Sequence, residues 1–354
     1  MRCRGVLLLA GGLILSGCAG IGPTTVSRDR FDYTEAISDS WKHQMLLNMI
    51  KIRYGDAPVF LDVSSVISQY QISGQLNLGA TFNNNPWSNS QILGGSGNYV
   101  DRPTITYSPI LGDKFARSLM SPVPPPAILS LLQAGYPADL VFRMLVNEVN
   151  GIRNRFGGAA RARGADPEFY ALIGKMRRIQ AAGNIGMRIT RKDKEEAAVM
   201  VFRGPRDPET ESLSAEVRTI LGLDPAANDF NVVYGAIPRN NHEIAILTRS
   251  FFEVLIDQAA NIEVPDVHVA EKRVNPTFVE KATTGEKVLP LIRIQSSSEK
   301  PGDPFISVRY RNVYFWIDDR DSASKGLFSF LMFISTLIET GEKGTAPIVT
   351  IPTN

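Results

Sequence analysis

Cysteine and histidine are scarce in this sequence. Its 354 residues include two cysteines and three histidines, His43, His242 and His268. The histidines lack the spacing of zinc ligands, and no cysteine stands near them to complete such a set. A glycine-rich phosphate loop with lysine, a G-x-S-x-G elbow and an H-E-x-x-H helix are also missing. These absences predict a protein without catalysis and without a bound metal or cofactor.

Long apolar runs are equally rare, and the clearest one is short. Residues 5–15 are apolar and follow two arginines near the start of the chain. This length suits a secretory signal, whereas a membrane-spanning helix needs about 20 residues. The next residues, Leu15–Cys18 (L-S-G-C), resemble the lipobox of bacterial lipoproteins. That resemblance implies a signal peptide over residues 1–17, cleavage between Gly17 and Cys18, and acylation of Cys18.

A lipobox implies a location and a charge. By resemblance to lipoproteins, acyl chains such as palmitate on Cys18 would anchor the mature chain, and several chains together bind a membrane stably. Ala19, where aspartate would favour retention, indicates the outer membrane with the body facing the periplasm. Residues 18–30 are predicted to form a lipidated tether. Without Arg2 and Arg4 the chain has 36 Lys+Arg and 36 Asp+Glu, and acylation of Cys18 leaves no cysteine for a disulfide.

The remaining length predicts two domains and an α+β fold class. Residues 31–185 are predicted to form a helix-rich region that carries a β-hairpin over residues 59–107. Residues 186–354 are predicted to form an α+β domain with a ββα-like order of strands and helices.

Two ββα stretches are predicted in the second domain. Strands Asn231–Ile237 and Glu243–Leu247 are expected to form a hairpin, because the asparagines between them tolerate positive φ. Ser250 has capping-box spacing and opens the helix that follows. A second hairpin is predicted around Arg311-Asn312, with a helix from about Ser322.

The hairpin of the first domain has no charged residue between Asp62 and Asp101. Apolar and neutral polar residues alternate over Val66–Phe82, as in a strand with two different faces. A loop is predicted over Asn83–Gly97 and a returning strand over Tyr99–Tyr107. The residues predicted to contact a membrane or a partner are Tyr70, Ile72, Leu76, Leu78, Phe82 and Trp87.

Three interpretations of this hairpin remain open. About ten residues per strand, with one apolar face, would suit insertion into a bilayer, and several subunits would then have to contribute hairpins. Arg102 and Pro103 in the second strand count against insertion. Alternatively, the hairpin packs on the protein's own helices, or it presents an edge for strand addition by a partner.

One sequence resembles a catalytic motif. Ser322-Ala323-Ser324-Lys325 matches the S-x-x-K of serine acyl-enzymes, in which the serine attacks and the lysine activates it. Those enzymes also need a K-T-G element, and Lys343-Gly344-Thr345 has a different order. Ser322 is therefore predicted to cap a helix, and a periplasmic cell-wall hydrolase that uses Ser322 and Lys325 is kept as an alternative.

Two charged segments are candidate binding sites. Asp318, Asp319 and Asp321 lack the D-x-D-x-D-G calcium loop, and a helix N-terminus favours acidic residues, so capping and pairing with Arg320 are predicted. Residues 153–194 hold eleven Lys/Arg and three Asp/Glu. That segment could contact anionic lipid or an acidic partner, or simply be solvated; its few aromatic residues give no support for nucleic-acid binding. Its candidate contact residues are Arg153, Arg155, Arg161, Arg163, Arg177 and Arg178.

Several short sequences in the chain resemble those of a family of proteobacterial outer-membrane lipoproteins without an established activity. They are Ser40-Trp41-Lys42, Arg53–Asp56, Pro58–Leu61, Asp101–Tyr107 and Tyr314–Asp319. The resemblance implies an envelope location and transfers no site. The sequence thus predicts a lipid-anchored structural or interaction protein whose partner is another envelope protein or a second copy of itself. The alternative is a subunit of an oligomeric outer-membrane export or channel assembly that contributes the 66–107 hairpin.

Overall fold

The computed structural model describes residues 21–67, 70–81, 90–101, 104–158, 162–192, 195–202, 204, 207–280 and 288–338. Within these ranges the chain forms nine helices, a six-stranded mixed sheet and a three-stranded antiparallel sheet, which confirms the predicted α+β class. The chain divides into two compact units. The first contains the described residues up to Trp41 together with Phe60–Pro109, and the second contains Lys42–Val59 and the described residues from Ile110 onward.

The helices are α1 Ile21–Arg53, α2 Gly112–Phe115 (continued by a π-helical turn, Ala116–Met120), α3 Pro125–Gln133, α4 Ala138–Leu145, α5 Pro167–Ala181, α6 Pro208–Leu221, α7 Phe251–Ala259, α8 Asp266–Ala270 and α9 Ser322–Ile338. The strands are β1 Leu61–Ile67, β2 Tyr70–Thr81, β3 Ser90–Asp101, β4 Thr104–Pro109, β5 Val146–Val149, β6 Ile152–Arg153, β7 Ile185–Lys192, β8 Glu195–Phe202, β9 Asp229–Tyr234, β10 Glu243–Thr248, β11 Gln295–Ser297, β12 Pro304–Tyr310 and β13 Val313–Asp318.

Residues 21–30 of the predicted tether are helical, as part of helix α1. Their role as a tether stays a prediction.

The first unit contains two antiparallel strand pairs. β1 pairs with β4 and β2 pairs with β3, so the chain rises through β1 and β2 and returns through β3 and β4. The β1–β4 register shifts between Val63 and Ser65, where an irregularity interrupts the ladder. The β2–β3 register is continuous from Tyr70 opposite Asp101 to Thr81 opposite Ser90.

The six-stranded sheet belongs to the second unit and has the order β6-β5-β10-β9-β8-β7. β9 and β10 are neighbours but run parallel, so the hairpin predicted for them is wrong. Residues 235–242 return the chain to the starting end of β9, so β10 runs in the same direction as β9 and no tight turn joins them. In this connection Asn240 bonds locally, accepting hydrogen bonds from the backbone N–H groups of His242 and Glu243. The asparagines therefore shape a longer connection.

Helices cover this sheet and close its core. α3 packs against β7, β8 and β9, and α4, α5 and α6 pack in sequence. Phe142, Phe169, Phe202 and Phe230 are almost completely buried, and the rings of Phe202 and Phe230 meet edge to face with centroids 5.8 Å apart. The sheet takes β5 and β6 from before the predicted domain boundary at residues 185/186 and β8, β9 and β10 from after it, and β7 spans that boundary.

The three-stranded sheet has the order β11-β13-β12 and is followed by α9. Arg311 and Asn312 have positive φ and join β12 to β13, as the sequence predicts for a tight hairpin turn. Ser250 begins α7 with a complete capping box to Glu253, which confirms the prediction for that helix.

Candidate functional site

The β2–β3 ribbon is the longest strand pair in the described residues. Each strand has 12 residues, and the two form one continuous antiparallel register. The four predicted contact residues that lie in β2 have defined opposites on β3. Tyr70 pairs with Asp101, Ile72 with Tyr99, Leu76 with Gly95 and Leu78 with Leu93. Phe82 and Trp87, the other two, lie outside the described residues.

One face of the ribbon is exposed and uncharged. Ser73, Gln75, Asn77 and Gly79 alternate along β2, and all four are exposed. Successive residues of a strand lie on opposite faces, so positions 72, 76 and 78 belong to the other face. The ribbon therefore pairs a neutral polar face with a face whose sequence is mainly apolar.

The predicted loop of this hairpin is too long. It was placed over Asn83–Gly97, but β3 begins at Ser90, and Gly94–Gly97 are strand residues opposite Gly74–Asn77. Glycine and serine are common in turns, and their local preference alone favours a loop here. The pairing with β2 gives these residues ladder hydrogen bonds, and this tertiary contact outweighs their weak strand preference.

The predicted lipidation site cannot be placed in the structure. Gly17 and Cys18 lie outside the described residues, so cleavage and acylation remain predictions. Among the helices of residues 21–338 that the structure describes, none is both long enough and apolar enough to cross a membrane.

The predicted basic patch does not form one continuous surface. Arg155 is buried, and Arg163 donates to the carbonyl of Asn154. Two others pair with acidic residues on neighbouring helices, Arg177 with Asp139 and Arg178 with Glu209. Arg153 pairs with Asp166 and remains half exposed, and Arg161 lies outside the described residues. Local pairing with acidic residues thus engages four of the six candidate arginines.

The S-x-x-K sequence begins α9, but its lysine is engaged elsewhere. Lys325 Nζ donates to the carboxylate of Asp319 at 2.6 Å and to the Asp319 carbonyl at 2.8 Å. Asp321, not Ser322, caps the helix, because its carboxylate accepts from the N–H and the hydroxyl of Ser324. The prediction that Ser322 is the cap is therefore wrong. This arrangement does not present Lys325 as the activating base of Ser322.

The other ionisable candidates have separate structural roles. The Asp318 carboxylate accepts from the backbone and side chain of Arg320, which lowers its pKa. Hydrogen bonds from Ser324 likewise lower the pKa of Asp321. His268 Nδ1 lies 2.8 Å from the hydroxyl of Tyr54 in the interior. In the described part of the chain, no group of three or more potential ligand side chains could hold a metal ion.

A buried ion cluster was not predicted. The Asp257 carboxylate, in α7, bonds to two guanidinium groups: Arg155 Nη2 lies 3.1 Å from Oδ1 and Arg249 Nη1 lies 3.2 Å from Oδ2. Glu280 Oε2 lies 3.9 Å from Arg155 Nη1 and accepts from the Tyr170 hydroxyl at 2.8 Å. Arg249 is 0% exposed, and burial lowers its pKa. Burial and the hydrogen bond to Glu280 raise the pKa of Tyr170.

This cluster has a structural role that sequence patterns cannot show. Arg155 and Asp257 are 102 positions apart, and the sequence analysis assigned only Arg155, to a basic segment. The cluster joins α7 to the segment after β6, where Gly157 N–H also donates to Asp257 at 2.8 Å. Its two positive and two negative side chains balance, so it offers no net charge to a ligand.

Comparison with protein families, curated proteins and solved structures found no match to this chain.

Proposed function

We propose that the protein is a lipid-anchored outer-membrane lipoprotein that faces the periplasm and acts as a structural or interaction protein without catalysis. The lipobox that ends at Cys18 and the alanine at position 19 support the location. The β2–β3 ribbon is the contact element in this proposal, and the arginines of residues 153–178 are not, because most of them are paired or buried.

The length and composition of the ribbon carry this proposal. An isolated two-stranded hairpin is marginally stable in water, and strands usually have about 5–6 residues. β2 and β3 have 12 residues each, and within their unit their main contacts are with each other. Such a ribbon needs a further strand or surface against it to be stable. A protein of the envelope or a lipid surface would supply it.

A second candidate is a subunit of an oligomeric export or channel assembly whose ribbons enter the bilayer. Its support is the same length, because a strand needs about 9–11 tilted residues to cross a bilayer. At about 3.4 Å per residue, 12 residues extend about 40 Å. The absence of charge between Asp62 and Asp101 is compatible with such insertion.

The test uses a photo-cross-linking amino acid at Asn77, which is exposed on the ribbon, in the full-length lipoprotein in cells. The matched control carries the same amino acid at Arg320, whose side chain is 82% exposed outside the ribbon. We expect protein or lipid adducts from position 77 and far fewer from position 320. Cys18→Ser should remove the protein from the outer-membrane fraction.

The adducts also separate the two candidates. Protein adducts, together with labelling of Asn77→Cys only after the outer membrane is permeabilised, support the periplasmic interaction protein. Lipid adducts with a protected cysteine support the inserted ribbon. Equal cross-linking from positions 77 and 320 contradicts both, because the ribbon would then be no more engaged than an ordinary surface.

A further inference from the structure

Apart from Asp101 at the end of β3, the edges of β2 and β3 lack the features that usually prevent strand addition. Proteins protect edge strands by shortness, charged residues, prolines or bulges. Residues 71–81 and 90–100 contain no charged residue and no proline, and their register has no bulge. Glycines at positions 74, 79, 94, 95 and 97 leave the backbone accessible to another strand, as glycines in strands often do.

In the part of the chain that the structure describes, the edges of the six-stranded and three-stranded sheets are each protected in one of these ways. At the ends of the six-stranded sheet, β6 has only two residues and β7 carries Arg188, Arg191 and Lys192. In the three-stranded sheet, β11 has three residues, and β12 combines Pro304 with a register shift and Arg309. The contrast indicates that the open edges of the ribbon serve pairing.

We propose that the edges of β2 and β3 pair with the ribbons of neighbouring copies of this chain. The inference rests on the proposed lipid anchor, because anchored copies share one orientation in the membrane. β2 and β3 run in opposite directions. In copies with one orientation, β3 of one copy would therefore run antiparallel to β2 of the next, and this pairing is the more stable kind.

A second copy fits these edges better than an unrelated protein does. Apart from the terminal Asp101, the edges carry no charge that would select a partner of opposite sign, and two neutral edges do not repel each other. Each chain also offers two different edges, which match head to tail. A contact of this type continues from copy to copy and ends when a ring closes.

The experiment compares the native mass of three lipidated proteins extracted from outer membranes in mild detergent. One is the wild type. Gln75→Lys/Asn77→Lys places two lysines on exposed positions of β2, and Thr106→Lys places one on an exposed position of β4, outside the proposed edge. Each protein is co-expressed with a second copy of itself that carries a different tag, and recovery of this second tag measures self-association. Unchanged far-UV circular dichroism and thermal unfolding show that the variants fold.

We expect a multimer for the wild type and for Thr106→Lys. For Gln75→Lys/Asn77→Lys we expect recovery of the second tag to fall about tenfold or more, because lysines on an edge strand oppose the addition of another strand. A monomeric wild type, or a lysine variant that remains multimeric, overturns the inference. If a monomeric wild type still gives adducts with another protein from position 77, only the second-copy inference fails. If it gives no adducts, the proposed function fails as well.

Discussion

Removing the carboxylate of Asp257 should be the most destabilising change of charge in the second unit. The carboxylate accepts from Arg155 and Arg249 at 3.1 and 3.2 Å, and also from Gly157 N–H and Gln258 Nε2 at 2.8 and 3.0 Å. Its side chain is 1% exposed, and that of Arg249 is 0% exposed. Asp257→Ala would leave an excess positive charge without access to water.

The expected loss follows from the burial. Breaking a buried ion pair by removing one partner costs about 3–5 kcal/mol. Alanine favours a helix over aspartate by at most about 0.7 kcal/mol, which offsets a small part of the loss in α7. We expect a net loss of about 3 kcal/mol, or at least about 6 °C in Tm for a domain of this size. Asp257→Asn retains the shape but not the charge and should show most of the same loss.

Urea and thermal unfolding of the mature chain, followed by circular dichroism, would measure the loss. The matched control is Glu209→Gln, which breaks the pair with Arg178 on the surface, where the two side chains are 65% and 60% exposed. That change should cost less than about 1 kcal/mol. If Asp257→Ala loses no more than the control does, the ion cluster is not the structural centre described here.

Three further changes test local features of the second unit. Ser250→Ala removes one half of the capping box of α7 and should cost about 1 kcal/mol in urea unfolding. Gly157→Ala would place a Cβ 2.7 Å from the Cβ of Ala260 and should cost about 1–3 kcal/mol, whereas Gly302→Ala meets nothing within 4 Å and should cost little. Hydrogen bonds lower the folded-state pKa of Asp321. Its contribution to the free energy of unfolding is therefore present above the ordinary aspartate pKa and is lost as pH falls through the folded-state pKa. Asp321→Asn should thus make the urea midpoint fall less on acidification.

Features set by a few neighbouring residues were predictable from the sequence. The β12–β13 hairpin depends on Arg311 and Asn312, which adopt the positive φ that its turn needs. The capping box of Ser250 depends on a residue three positions later. In both cases the physical cause lies within one turn of chain.

Features set by distant residues were not predictable. The pattern of β9 and β10 suits a hairpin and a parallel pair equally well, and their direction depends on β8 and β5 on either side. Arg155 was assigned to a basic surface because its partner Asp257 is 102 positions away. The ribbon was recognised from its alternation and lack of charge, but the extent of β3 depends on its pairing with β2.

Hydrogen exchange of the ribbon amides tests the central claim most directly. The measurement compares residues 70–81 and 90–101 in the lipidated protein in outer membranes with the same residues in dilute, non-acylated mature chain. If the ribbon is the contact element, the amides on the outer edges of β2 and β3, which do not bond across the β2–β3 pair, exchange slowly in the membrane. In the isolated chain they exchange rapidly, because only a partner protects them. Equally rapid exchange in both would contradict the claim that this ribbon is the functional contact of the protein.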